Sequence, residues 1–331
     1  MLNFIRRERI YILIVIFVLA VNFMHMGQAK SQIAPKQEKS LSSMSFEEIG
    51  VTEKKVKTFL ESKTPSAIFF RYSISLGFLV FALFLILNAG FILRKKPFAP
   101  IPLPGREKRD VAWGILDIGR VALIILFISY AVGITEGFVI RALGINIDLN
   151  LRMIIGTFFV DIFAVAALLY FVMRGYREKP ASLGLKFFSF FRNVLTGITA
   201  YVFIVPLLLV ILILSVWLLN VFGYQPPPQP VFEAFISEKN SRVLFFLTIF
   251  VSVLGPIAEE VFFRGFMYSA IKKRLGVLSA AFLSAVVFSL LHANIAGFLP
   301  IMALGVLLAY LYEATGSLVA SMTVHVIHNS V

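Results

Sequence analysis

Residues 194–219 read VLTGITAYVFIVPLLLVILILSVWLL, an apolar run without one Asp, Glu, Lys, Arg or His. A helix needs about 20 mostly apolar residues to cross a bilayer, because hydrocarbon offers no partner to an unpaired backbone N–H or C=O. This stretch therefore reads as a membrane-crossing helix. Working outward from it, runs of the same kind recur at 10–26, 72–93, 113–140, 153–173, 243–271, 277–294, 298–312 and 318–331, nine segments in all. The last three are short and tightly joined. The expected fold is all-α, a polytopic membrane protein of about eight to nine transmembrane helices, with no internal repeat of convincing period.

Composition agrees. Of the 331 residues 59% are apolar, 14% aromatic and only 15% charged, and the mean hydropathy is +0.89. Ordinary soluble domains run nearer to half apolar and a quarter charged. Zero cysteines exclude disulfides, a thiol nucleophile and Cys-based metal sites. The net charge of +13 would suggest nucleic acid in a soluble protein. Here no basic and aromatic ribbon accompanies it, so no nucleic-acid partner is expected, and the charge follows membrane topology instead.

Short cytoplasmic loops hold an excess of Lys and Arg. Arg6, Arg7 and Arg9, the Arg94 to Arg109 cluster, the Arg174 to Arg192 cluster, and Lys272 to Arg274 all fall on one side of the nine segments. The amino terminus is therefore expected in the cytoplasm. Residues 30–63 depart from this pattern, placing seven lysines on the other face, beside five glutamates. The first segment reads either as a retained anchor, which is favoured, or as a cleavable signal peptide. A capping box at Ser45-Phe46-Glu47-Glu48 and the shared face of Val56, Phe59 and Leu60 predict a short surface helix before Pro65. The Pro-rich runs at 97–104 and 226–230 read as extended loops. Residues 1–110 thus form an amino-terminal membrane region of unassigned role, and 111–331 form the main helical domain.

Ionisable residues inside lipid cost about 2.5–3.5 kcal/mol each on insertion scales, so they mark where chemistry is built. Asp117, Arg120 and Asp161 belong to no motif and read as near-interface pairing or interhelical glue. The carboxyl-terminal third differs. Ala258-Glu259-Glu260-Val261-Phe262-Phe263-Arg264 interrupts an apolar helix, and three of the four histidines, His292, His325 and His328, follow in the next segments. Residues four apart share a helical face, so Glu260 can pair with Arg264, and His325 with Asn329 can point at one place. Glu259, rotated about 100° from Glu260, can face a different neighbour. Gly255 and Pro256 should kink this helix and free backbone groups, tolerable only beside protein or a wet cavity.

Several familiar hydrolytic solutions are missing: there is no HExxH, GxSG or GxGD motif and no cysteine. A water activated by a carboxylate remains, with Glu259 as general base sharing the water with His292. His325 and Asn329 would donate to the developing oxyanion.

Glu259-Glu260-x-x-x-Arg264, Phe288-x-x-x-His292 and His325-x-x-x-Asn329, in this order, resemble the three motifs of the CPBP family of intramembrane glutamic endopeptidases. That family includes CAAX-processing proteases of prenylated proteins and bacterial proteins linked to bacteriocin immunity. The resemblance covers roughly 195–331, and Pro180-Ala181-Ser182-Leu183-Gly184-Leu185 is similar to a segment often found upstream. It implies a protease domain with its motifs in 255–331. Glu259, His292, His325 and Asn329 would be catalytic, Glu260 and Arg264 a supporting pair, and no metal or other cofactor would be needed. It further implies a peptide or membrane-protein substrate, the bilayer as surroundings, and a bacterial or archaeal cell membrane as location. The sequence ends two residues after Asn329, so the final helix is expected to be shorter than the family pattern. The alternatives are a zinc-dependent protease with Glu259, His292 and His325 as ligands, a non-catalytic immunity or scaffold protein, and a proton-coupled transporter.

Overall fold

In the computed structural model, residues 2–29, 53–64, 111–147, 149–224 and 240–331 are described, with residue 238 and an interrupted set between 67 and 90. The expected capping box at Ser45 to Glu48, the lysines of 30–52, both Pro-rich loops and the continuity of the second apolar segment lie outside the described residues.

The elements run α1 (Leu2–Ala29), α2 (Glu53–Glu61), α3 (Ile115–Leu143), α4 (Leu149–Tyr170, extended by a π-helical turn Phe171–Gly175) and a 3₁₀ turn Pro180–Leu183. Then come α5 (Phe190–Val221), α6 (Ser241–Ile249), a π-helical turn Phe250–Leu254, α7 (Gly255–Glu260) and a second π-helical stretch Val261–Tyr268. The chain closes with α8 (Ser269–Leu291), α9 (Phe298–Thr315) and α10 (Leu318–Ser330). No strand occurs among the described residues, as expected for an all-α membrane protein.

Five stretches among the described residues are long and apolar enough to cross a membrane: Ile115–Leu143, Leu151–Gly175, Phe190–Val221, Ser241–Leu291 and Phe298–Thr315. Three of the nine apolar segments read from the sequence take forms that hydropathy alone does not show. Segments 243–271 and 277–294 belong to one continuous path, bent at Gly276, whose φ of 79° and ψ of 175° only glycine adopts without strain. The final segment is a 13-residue helix. Its residues Leu318, Val319, Ala320 and Val324 are buried against protein, as is His325.

α10 packs against α5 and α9 and against the turns around α7. Close approach to α5 is possible because residue 197 is glycine: a Cβ there would sit 2.7 Å from the Ala320 carbonyl oxygen and 2.8 Å from Thr323. Small residues allow such contacts between membrane helices.

Near the basic ends of the helices, buried polar networks tie the bundle together. Asp117 accepts from the Gly114 N–H at 2.8 Å, from Arg120 at 2.6 Å and from the Tyr176 hydroxyl at 2.5 Å. Arg120 also pairs with Glu8, which fastens α1 to α3. Burial and the bond to Asp117 push the Tyr176 phenol up to about 12. The Trp113 indole donates to the Phe266 carbonyl at 3.0 Å and stacks on the Phe266 ring at 5.4 Å. The Pro180 to Leu185 segment is wedged between α10 and the second π stretch. The Leu318 N–H donates to the Gly184 carbonyl at 2.9 Å, and Ser317 Oγ to the Lys186 carbonyl at 2.7 Å. A Cβ on Gly265 would lie 2.7 Å from the Leu183 carbonyl oxygen.

Candidate active site

The two adjacent glutamates take different environments because one helical step separates them. Glu260 and Arg264 are completely buried, and Arg264 Nη1 donates to Glu260 Oε1 at 2.8 Å. The guanidinium also lies 4.4 Å from the centroid of the Phe288 ring, within cation–π range. Glu259, by contrast, keeps 38% of its side chain exposed. It faces a cavity of about 360 Å³, whose wall includes Asp161, Val165 and Leu168 of α4 together with Phe262, Phe263 and Leu291.

His325 of α10 joins the two carboxylates. Its Nδ1 stands 3.0 Å from Glu260 Oε1, and its Nε2 stands 3.5 Å from Glu259 Oε2, with the ring 1% exposed. Glu259, His325, Glu260 and Arg264 therefore form one continuous polar chain running from the cavity into the protein.

His292 ends α8. Its Nδ1 lies 2.7 Å from the Phe288 carbonyl oxygen, an arrangement that suits donation from Nδ1–H and leaves Nε2 as an acceptor. Phe288 is the common neighbour, with its ring 4.5 Å from that of His292 and 5.5 Å from that of His325. Among the described residues no hydrogen bond joins His292 directly to Glu259. His328 turns the other way, 3.4 Å from the Tyr201 hydroxyl on α5.

Asn329 is held by the distortion that Gly255 and Pro256 impose. The Gly255 N–H bonds to the Phe250 carbonyl, five residues back, which sets a π register. In that register the next donor would serve the Val251 carbonyl, but it belongs to Pro256, which has no N–H. Asn329 Nδ2 takes its place at 3.1 Å, and Ser252 Oγ donates to the Asn329 carbonyl at 2.9 Å. An amide nitrogen carries two hydrogens, so one of them stays available after this bond. These anchors give the short final helix two attachments beyond its packing.

Six residues expected from the sequence thus divide. Glu259, Glu260, Arg264 and His325 are in direct contact; His292 joins them through Phe288; Asn329 is bonded to the backbone of the π turn. Spacing along the chain does not reveal the place of Ser252, nor that Asp161 of α4 lines the cavity of Glu259. The missing N–H of Pro256 was the available signal for the former. Asp161 had none, since it comes from an element nearly a hundred residues away in sequence. Among the described residues, no three His, Asp or Glu side chains converge in a geometry able to hold a metal ion.

With this geometry in view, comparison with known proteins is decisive for the carboxyl-terminal part. Residues 241–331 match the family described as type II CAAX prenyl endopeptidase Rce1-like. The match covers 91 of the 331 residues, all in the carboxyl-terminal part of the chain. A Bacillus subtilis (strain 168) protein named "Putative membrane peptidase YdiL" is 30% identical over 84 residues, covering 25% of this chain. The chain spans only 34% of that relative's length. No solved structure gives a significant match. All six candidate residues lie inside the matched segment, and together with the five long apolar helices among the described residues the match indicates an integral membrane protein.

Proposed function

We propose that the protein is an intramembrane endopeptidase in which Glu259 activates a water molecule to hydrolyse a peptide bond. The observation that carries this reading is the division of labour between neighbouring carboxylates. Glu260 is fully buried and neutralised by Arg264, whereas Glu259 opens onto a cavity large enough for a peptide backbone.

In the proposed reaction Glu259 takes a proton from water as the oxygen attacks the scissile carbonyl, then returns it to the departing amine. His292, with Nδ1 committed to the Phe288 carbonyl, presents Nε2 to the same water. Charge developing on the carbonyl oxygen would be met by the second Asn329 N–H and by His325 when its Nε2 carries a proton. Glu260 holds the opposite side of that ring, fixing its orientation. The Rce1-like match and the similarity to a protein named as a membrane peptidase support hydrolysis of peptides in or at the membrane, with prenylated CAAX-like sequences as one substrate class. The basic loops support a cytoplasmic amino terminus.

The test is cleavage of a peptide library by purified protein. Glu259→Gln should keep the protein folded and lower turnover at least about 100-fold, as loss of a general base typically costs 10²–10⁴. Near-normal turnover would overturn the assignment. Activity lost to a strong chelator and restored by zinc would favour metal-dependent hydrolysis by the same residues.

A further inference from the structure

Carboxylates described in the membrane-crossing helices follow a rule. Asp117 is paired with Arg120, Glu136 with Arg152 at 3.5 Å, and Glu313 with Lys272 at 2.6 Å. Glu260 is paired with Arg264, and Glu259 faces His325. Asp161 breaks the rule. It stands near the middle of α4, within the crossing Leu151–Gly175, and has no hydrogen-bond or ion-pair partner among the described residues. It also occupies a specific place, on the wall of the cavity that Glu259 enters, among side chains such as Val165, Leu168 and Phe263.

The nearby cations cannot be lent to it, since Arg120, Arg152 and Arg264 are each engaged elsewhere. A carboxylate in such surroundings is matched either by a proton or by a cation that arrives from outside. We infer that Asp161 is a specificity-determining residue that receives a cationic side chain, Lys or Arg, of the peptide bound in the Glu259 cavity. This rests on the endopeptidase reading for its place in catalysis. The physical advantage is twofold. The incoming cation gains a desolvated partner, and its charge favours the ionised form of Glu259 needed to activate water. The cavity's apolar wall accommodates the aliphatic stem of such a side chain.

The probes are two end-blocked apolar peptides identical except for one central residue, lysine in one and the uncharged isostere norleucine in the other. Binding is measured to detergent-solubilised Glu259→Gln protein, where Asp161 is the carboxylate left in the cavity. Lysine peptide is expected to bind at least about tenfold more tightly than its twin, with the ratio falling close to one in Glu259→Gln/Asp161→Asn and returning in Glu259→Gln/Asp161→Glu. Equal binding of the two peptides to Glu259→Gln protein, or a ratio untouched by Asp161→Asn, would overturn the inference, the former result leaving Asp161 a protonated wall residue. Because binding is read in a catalytically silenced background, the outcome is separate from whether wild type cleaves, which decides the endopeptidase reading.

Discussion

At the residue scale, charge pairing in a dry interior separates the roles of neighbouring side chains. Glu260→Ala would leave Arg264 buried beside the Phe288 ring with no carboxylate, a change that typically costs about 3–5 kcal/mol. Thermal unfolding in detergent should show a large drop in midpoint, and Glu260→Ala/Arg264→Met should recover part of it, because removing both charges removes the desolvation penalty. Asn329→Ala tests a residue with two tasks. It removes a donor for the Val251 carbonyl, destabilising by about 1–3 kcal/mol, and, on the proposed mechanism, a donor for the oxyanion, which should lower kcat by about 10²–10³. Asn329→Ala protein with normal kcat at a temperature where it remains folded would restrict Asn329 to its structural bond. The Glu260–Arg264 pair was legible in the sequence, since i,i+4 spacing dictates which side chains share a face. Spacing was blind to the link between His325 and both glutamates, because that contact depends on how α10 is docked against α7.

At the scale of elements, the helices are positioned by what glycine and proline omit. The sequence announced a kink at Gly255-Pro256 but not its form, two π-helical stretches on either side of α7, because a π register is chosen by tertiary partners as much as by local chain preference. Gly197→Ala offers a direct test of helix docking. Alanine favours a helix by up to about 1 kcal/mol over glycine, so an exposed site would gain stability. Here the new methyl would press on the Ala320 carbonyl and on Thr323. The expected result is net destabilisation by about 1–3 kcal/mol, the range for overpacking, together with reduced activity, since α10 carries His325 and Asn329. A raised unfolding midpoint would contradict the close α5–α10 approach.

For the whole molecule, hydropathy identified an all-helical membrane protein, and five of its apolar stretches among the described residues are helical and long enough to cross a bilayer, but apolar sequence does not distinguish a lipid-facing helix from one buried in protein. α10 is the case in point. The amino-terminal region, silent in sequence, acquires a structural role through Glu8. Glu8→Ala would take from Arg120 one of its two carboxylates in a site where the Arg120 side chain is only 19% exposed. We expect about 1–3 kcal/mol of destabilisation, measured by unfolding of the full chain, with peptide turnover per folded molecule largely retained. A midpoint equal to wild type would mean that the Glu8–Arg120 pair contributes nothing to holding α1 against α3.

Pro256 and Asn329 also carry a consequence for heredity. Because one side chain stands in for a proton that the other residue lacks, the two positions are expected to change together among related sequences, although 73 places apart in the chain. A lineage that replaces Pro256 restores the backbone donor and relaxes selection on the structural half of Asn329, leaving only the proposed chemical half. Descendants that have lost hydrolysis should therefore discard the asparagine readily where the proline has already gone, and keep it where the proline persists.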